Sequence, residues 1–147
     1  MAGDAPVFVG IDGGGTRSAA LATDAAGRPL ARTEGPPGLL RPGRAAATAR
    51  TLAALARRTL RAAGARPPAS ALCCAVAAAG RDPERSALQD ALLATVVARA
   101  VVVTTDAEAA LHDAFGTGPG LLLASGTGSI AWGRAPDGRT ARAGGWG

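Results

Sequence analysis

An aspartate, three glycines and a hydroxyl residue, Asp12-Gly13-Gly14-Gly15-Thr16, close an apolar run that begins at Val7. Glycines grouped in this way let backbone approach a ligand, a phosphate above all, because no Cβ stands in between. An ordinary hairpin turn uses the same residue types. A second glycine turn, Ser125-Gly126-Thr127-Gly128-Ser129, follows the apolar "GLLLA" and leads into "IAWG". Apolar residues on both sides of each turn indicate strand–turn–strand. The N–H groups of such a turn point at phosphate oxygens, and an aspartate just before it stands where a magnesium ion, through waters, meets them. Two other phosphate devices are excluded. A P-loop needs GxxxxGK[ST] before a helix, and the chain has no lysine. A dinucleotide fingerprint opens a helix within a βαβ unit, whereas here a strand follows.

The elements that must position these residues are readable along the chain. Val7–Asp12, Ser18–Asp24 and Leu30–Gly35 read as three strands, the last two joined by "AAGRP". "PPGLLRPG" is a loop by its proline and glycine content. Ala45 to Ala63 carries Leu52, Leu55 and Leu60 at helical spacing, with Gly64 as its C-terminal stop. A strand over Ala71–Ala77 precedes a helix starting near Pro83, a residue suited to a first helical turn. A strand over Ala100–Asp106 precedes the helix "AEAALHDAFG", and the second glycine turn and a hairpin signal at Asp137–Gly138 follow. The order β-β-β-α-β-α-β-α is that of a ribonuclease-H-like α/β domain, a mixed sheet covered by helices. The last β-turn-β reads as the start of a second copy, which divides the chain into residues 1–118 and 119–147.

Composition narrows the function classes. A chain of 147 residues is long enough to bury a core, though much of its 48% hydrophobic content is alanine. No apolar run approaches the roughly 18 residues that span a membrane, and "MAGDAP" does not read as a signal peptide, so the expected location is cytoplasmic, with no membrane partner. The net charge is +5 and every lysine-or-arginine position is arginine. These arginines are scattered singly without interleaved aromatics, so no nucleic-acid partner is expected. Cys73 and Cys74 are neighbours in a strand and face opposite ways, which disfavours a disulfide between them. With no CxxC spacing or nearby histidine they read as small buried residues rather than a metal site. His112 reads as a surface or core residue.

"GIDGGGTRS", "TTDAEAAL", "LLLASGTGSIAWG" and the terminal "GGWG" together resemble the N-acetylglucosamine kinase branch of the actin, sugar-kinase and heat-shock chaperone ATPase superfamily. The same family includes ATPase activators of 2-hydroxyacyl-CoA dehydratases and benzoyl-CoA reductases. The resemblance runs from about Val7 to the last residue. It implies ATP and magnesium as cofactors and a small-molecule sugar as substrate. Asp12 would orient magnesium, and Gly13, Gly14, Gly15 and Thr16 would hold phosphate. Ser125, Gly126, Thr127, Gly128 and Ser129 would form the second phosphate hairpin, in the actin-type second domain. Asp106 matches the acid that draws the proton from the sugar hydroxyl, and a carboxylate at a strand end suits a general base. It also suits a helix N-cap. Gly145 and Trp146 match a segment lining the sugar pocket, with core packing the other reading of the tryptophan.

Two departures from the family pattern stand out. Its kinases often carry a sugar-binding asparagine in the loop after the third strand, and "EGPPGLLRPG" has none. The family also continues beyond "GGWG" with a sugar-binding stretch and the adenosine pocket. The expectation is therefore an amino-sugar kinase of the N-acetylglucosamine or glucosamine type, present as an N-terminal portion inactive alone, with a homodimer as one outcome of its unpaired apolar strands. A dehydratase activator and a non-catalytic ATP-binding domain are the alternatives. For an activator's iron–sulfur cluster, Cys73 and Cys74 stand too early in the chain.

Overall fold

The computed structural model describes residues 5–125 and 129–144. The chain packs as two compact units, residues 1–105 and 106–147. The first unit runs β1 (Phe8–Gly13), β2 (Ser18–Thr23), β3 (Pro29–Gly35), α1 (Ala45–Ala62), β4 (Ala71–Val76), α2 (Asp82–Leu93) and β5 (Val101–Thr104). Its five strands lie in the order β3-β2-β1-β4-β5. The β1–β2 and β2–β3 pairs are antiparallel, whereas β1–β4 and β4–β5 are parallel. The expected α/β mixed sheet is the observed one.

Side-chain alternation decides which sheet face is covered. Val9, Ile11, Ala20, Ala22, Leu72, Cys74, Val76 and Val103 are buried on one face, and α1 and α2 supply Leu52, Leu55, Leu60, Leu88 and Leu92 to the same core. Buried Ala49, Ala53 and Ala56 put little bulk on α1, so its backbone can approach its neighbours closely. The helix ends as its residues dictate. Gly64 adopts φ +72°, the Ala65 amide donates to the Leu60 carbonyl, and that of Gly64 donates to Arg61. At the turn after β2, Asp24 accepts from the amides of Ala26 and Arg28 and from Arg28 Nε. The Arg28 amide and guanidinium hold this carboxyl below the usual carboxylate range.

The opposite sheet face carries Phe8, Gly10, Asp12, Leu21, Cys73 and Val102, all exposed. The expectation that both cysteines are buried is thus corrected: Cys74 is buried and Cys73 is exposed. The two thiols alternate across β4, and helices α1 and α2 cover only the Cys74 side. Desolvation raises both thiols above their ordinary range.

The second unit holds α3 (Asp106–Phe115), β6 (Gly120–Ser125), β7 (Ser129–Arg134) and β8 (Thr140–Gly144). These strands form an antiparallel sheet in the order β6-β7-β8, with α3 against β6 and β7. The β7–β8 turn uses Gly138 at φ +82°. There Asp137 accepts from the Arg139 guanidinium and amide, contacts that lower its carboxyl below the ordinary range. Among the described residues no helix is long and apolar enough to cross a membrane.

Candidate phosphate-binding site

Parallel pairing brings the C-terminal ends of β1, β4 and β5 to one edge of the first unit's sheet. Gly13 stands beside Val76, and Ala75 beside Thr104. At that edge the chain turns from β1 into β2 through residues 14–17, with Gly13 opposite Ser18. The Gly14 amide donates to the Arg17 carbonyl at 3.1 Å, which closes the turn. Gly14 is demanded by sterics, since a Cβ there would lie 2.9 Å from that same carbonyl oxygen. Gly15 is different: a Cβ there would meet nothing within 4 Å, and both Gly15 and Thr16 are exposed. The fold needs no glycine at 15, but the lack of a side chain leaves the turn's backbone open to a ligand.

Asp12 ends the exposed side of β1, paired with Ala19 and Ala75, so its carboxylate is flanked by alanines on both strands. Among the described residues no three histidine, cysteine, aspartate or glutamate side chains cluster. A divalent cation at Asp12 would therefore be completed by phosphate oxygens and water, the usual habit of magnesium. The nearby Arg17–Glu34 pair, at 3.8 Å with both side chains well exposed, adds little to stability.

Asp106 opens α3, is exposed, and accepts the Ala107 amide on Oδ1 at 2.9 Å. Its local hydrogen bonding is of the helix-start kind and leaves Oδ2 outside that contact. In the second unit Ser125 and Ser129 face each other across β6 and β7. The tip between them, Gly126, Thr127 and Gly128, lies outside the described residues, as do Gly145 and Trp146. His112 is exposed on α3.

One participant was not legible as such. The loop after β3 lies directly behind the glycine turn, with Gly38 buried and its amide donating to the Gly14 carbonyl at 3.1 Å. A glycine after two prolines signals a loop, but nothing in that pattern reveals what the loop touches.

No family model matches the chain. The N-acetylmuramic acid/N-acetylglucosamine kinase of Clostridium acetobutylicum is 37% identical over 78 residues, 53% of this chain and 26% of that protein. A candidate N-acetylglucosamine kinase of Chromobacterium violaceum superposes with a TM-score of 0.81 at 29% identity, over 97% of this chain and 50% of that one. A ROK family glucokinase of Streptomyces griseus, solved with glucose and AMPPNP, superposes with a TM-score of 0.66 at 22% identity, over 96% of this chain and 49% of that one. The chain thus spans about half the length of the solved structures it matches. In sequence it is similar to N-acetylglucosamine kinases, and in fold to the sugar kinases of the actin-like ATPase superfamily.

Proposed function

We propose that this chain carries the phosphate-binding and proton-accepting residues of an ATP-dependent amino-sugar kinase, acting on N-acetylglucosamine or a close relative. The carrying observation is the exposed 14–17 turn at the parallel-strand edge, with open space at Gly15 and the Asp12 carboxylate beside it. On this reading residues 1–118 form the first ATPase domain and residues 119–147 begin the second. ATP with magnesium would supply the phosphoryl group and neutralise its charge. Within the Gly13–Thr16 turn the exposed backbone of Gly15 and Thr16 holds phosphate oxygens. Gly13 and Gly14 shape the turn, the Gly14 amide being bonded to the Arg17 carbonyl, and Asp12 orients the cation through water. Ser125 to Ser129 form the second phosphate contact, and Gly145 and Trp146 line the sugar pocket. Asp106 accepts the proton of the attacking sugar hydroxyl as its oxygen bonds to phosphorus and the bond from phosphorus to the leaving diphosphate breaks.

Titration of the isotope-labelled chain with MgATP tests the binding half. The amide resonances of Gly14, Gly15 and Thr16 should move in a magnesium-dependent way, and movement confined to other amides would refute the assignment. In a chain extended to the length of its relatives, Asp106→Asn should preserve ATP binding. Phosphorylation of N-acetylglucosamine should fall by about 10²–10⁴-fold, the usual loss for a positioned general base. A near-normal rate would remove Asp106 from the mechanism.

A further inference from the structure

The glycine turn does not hold its shape alone. Behind it, the loop between β3 and α1 is joined to it directly, by Gly38 N–H to the Gly14 carbonyl at 3.1 Å, and through Ala77 after β4, which donates to the Gly13 carbonyl at 3.0 Å and accepts from Leu40 N–H at 3.2 Å. Leu40, 2% exposed, anchors the loop in the core, and the Thr48 hydroxyl of α1 donates to the Leu39 carbonyl. The packing between loop and turn leaves no room. A Cβ at Gly38 would lie 2.7 Å from Ser18 Oγ, 2.8 Å from Leu52 Cδ2 and 3.0 Å from Gly13 Cα. A Cβ at Gly13 would in turn lie 3.3 Å from the Gly38 carbonyl oxygen. Leu52 can swing its end away, but Gly13 Cα is backbone and Ser18 begins the paired strand β2. Any side chain at 38 therefore pushes on both ends of the 14–17 turn.

Ser18 adds an independent observation. It is 1% exposed, and its hydroxyl has no hydrogen-bond partner among the described residues. A buried hydroxyl left unpaired costs stability. Packing at this point is thus set by the close approach of Gly38 rather than by a hydrogen bond to the serine.

We propose that Gly38 is a positioning residue of the phosphate turn: its missing side chain lets the 36–40 loop back the turn and hold the exposed Gly15–Thr16 backbone in place. The inference rests on the phosphate role assigned to the turn. It also gives the loop that lacks the family's sugar-binding asparagine a second duty, which any side chain at 38 would compromise.

Amide hydrogen exchange without ligand, MgATP titration and thermal melting of wild type, Gly38→Ala, Ser18→Ala and the double variant provide the test. In Gly38→Ala, exchange at residues 13–18 should quicken while that of β4 and β5 stays as in wild type. MgATP affinity should drop roughly tenfold, the loss of about one phosphate contact. Ser18→Ala alone should melt at or above the wild-type temperature. The double variant, relieved of the nearest obstacle but not of the approach to Gly13 Cα, should recover part of the affinity and of the turn's protection. Unchanged exchange and affinity in Gly38→Ala would overturn the proposal. If that variant does not fold, the double variant decides: recovery supports the proposal, and a folded double variant that binds as though the turn were lost overturns it. Failure of a chain extended to the length of its relatives to bind MgATP, with turn exchange still quickened by Gly38→Ala, would refute the kinase reading and leave the hold of Gly38 on the turn standing.

Discussion

Gly14 and Gly15 are adjacent and identical in type, yet they answer to different constraints. Gly14 has the Arg17 carbonyl 2.9 Å from where its Cβ would stand, so Gly14→Ala must open the turn and should destabilise the fold by about 1–3 kcal/mol. Gly15 has nothing within 4 Å, so Gly15→Ala should melt at or slightly above the wild-type temperature, because alanine restricts the unfolded chain. Its cost should fall on ligand binding, where the new methyl occupies the opening beside the N–H groups. Melting curves and MgATP titrations of the two variants separate the effects. Equal loss of stability in both would remove the distinction drawn at this turn.

Elements are held by contacts that a pattern of apolar residues does not announce. Strand β5 is an outer strand of the five-stranded sheet, and outer strands present unpaired N–H groups. Here the Val103 amide donates to the Gln89 side chain of α2 at 3.2 Å, so the helix covers the strand edge with a hydrogen bond while its Leu88 and Leu92 are buried in the core. Gln89→Ala should lower unfolding free energy by about 1 kcal/mol and speed amide exchange at Val103 more than at Val101. Denaturant melts and exchange rates check this, and an unchanged Val103 rate would show the bond is not formed in solution. The Thr33 and Thr59 hydroxyls, 2.6 Å apart, tie β3 to α1 in a similar way. The strand and helix order was legible because periods of two and of three to four residues are local. The partners Gln89–Val103 and Thr33–Thr59 were not, because each joins residues on separate elements.

At the scale of the whole molecule, strand β6 of the second unit leaves large apolar side chains open. Leu121 and Leu123 of β6 are 59% and 72% exposed, and β6 is an outer strand of its sheet. Exposed apolar outer strands pair with one another. The chain should therefore associate as its concentration rises, and Leu123→Lys should shift that association to higher concentration. Static light scattering across a dilution series reads the effect. Identical scattering by wild type and variant would place the associating surface elsewhere.

What the sequence by itself determined was local and periodic. Alternation placed Val9 and Ile11 on one side of β1, leucine spacing placed α1, Gly64 ended it, and Asp137–Gly138 made the last hairpin. Two glycine turns between apolar strands fitted a phosphate loop and an ordinary hairpin alike, because both use backbone without Cβ atoms. The tertiary structure alone decided which strand face the helices cover. Hence Cys74 is buried and Cys73 is exposed, although the two are consecutive in sequence. It alone also brought Gly38 behind Gly14, across 24 positions of chain. Steric fit between distant segments depends on how the sheet and α1 set their separation, and no local period encodes that distance.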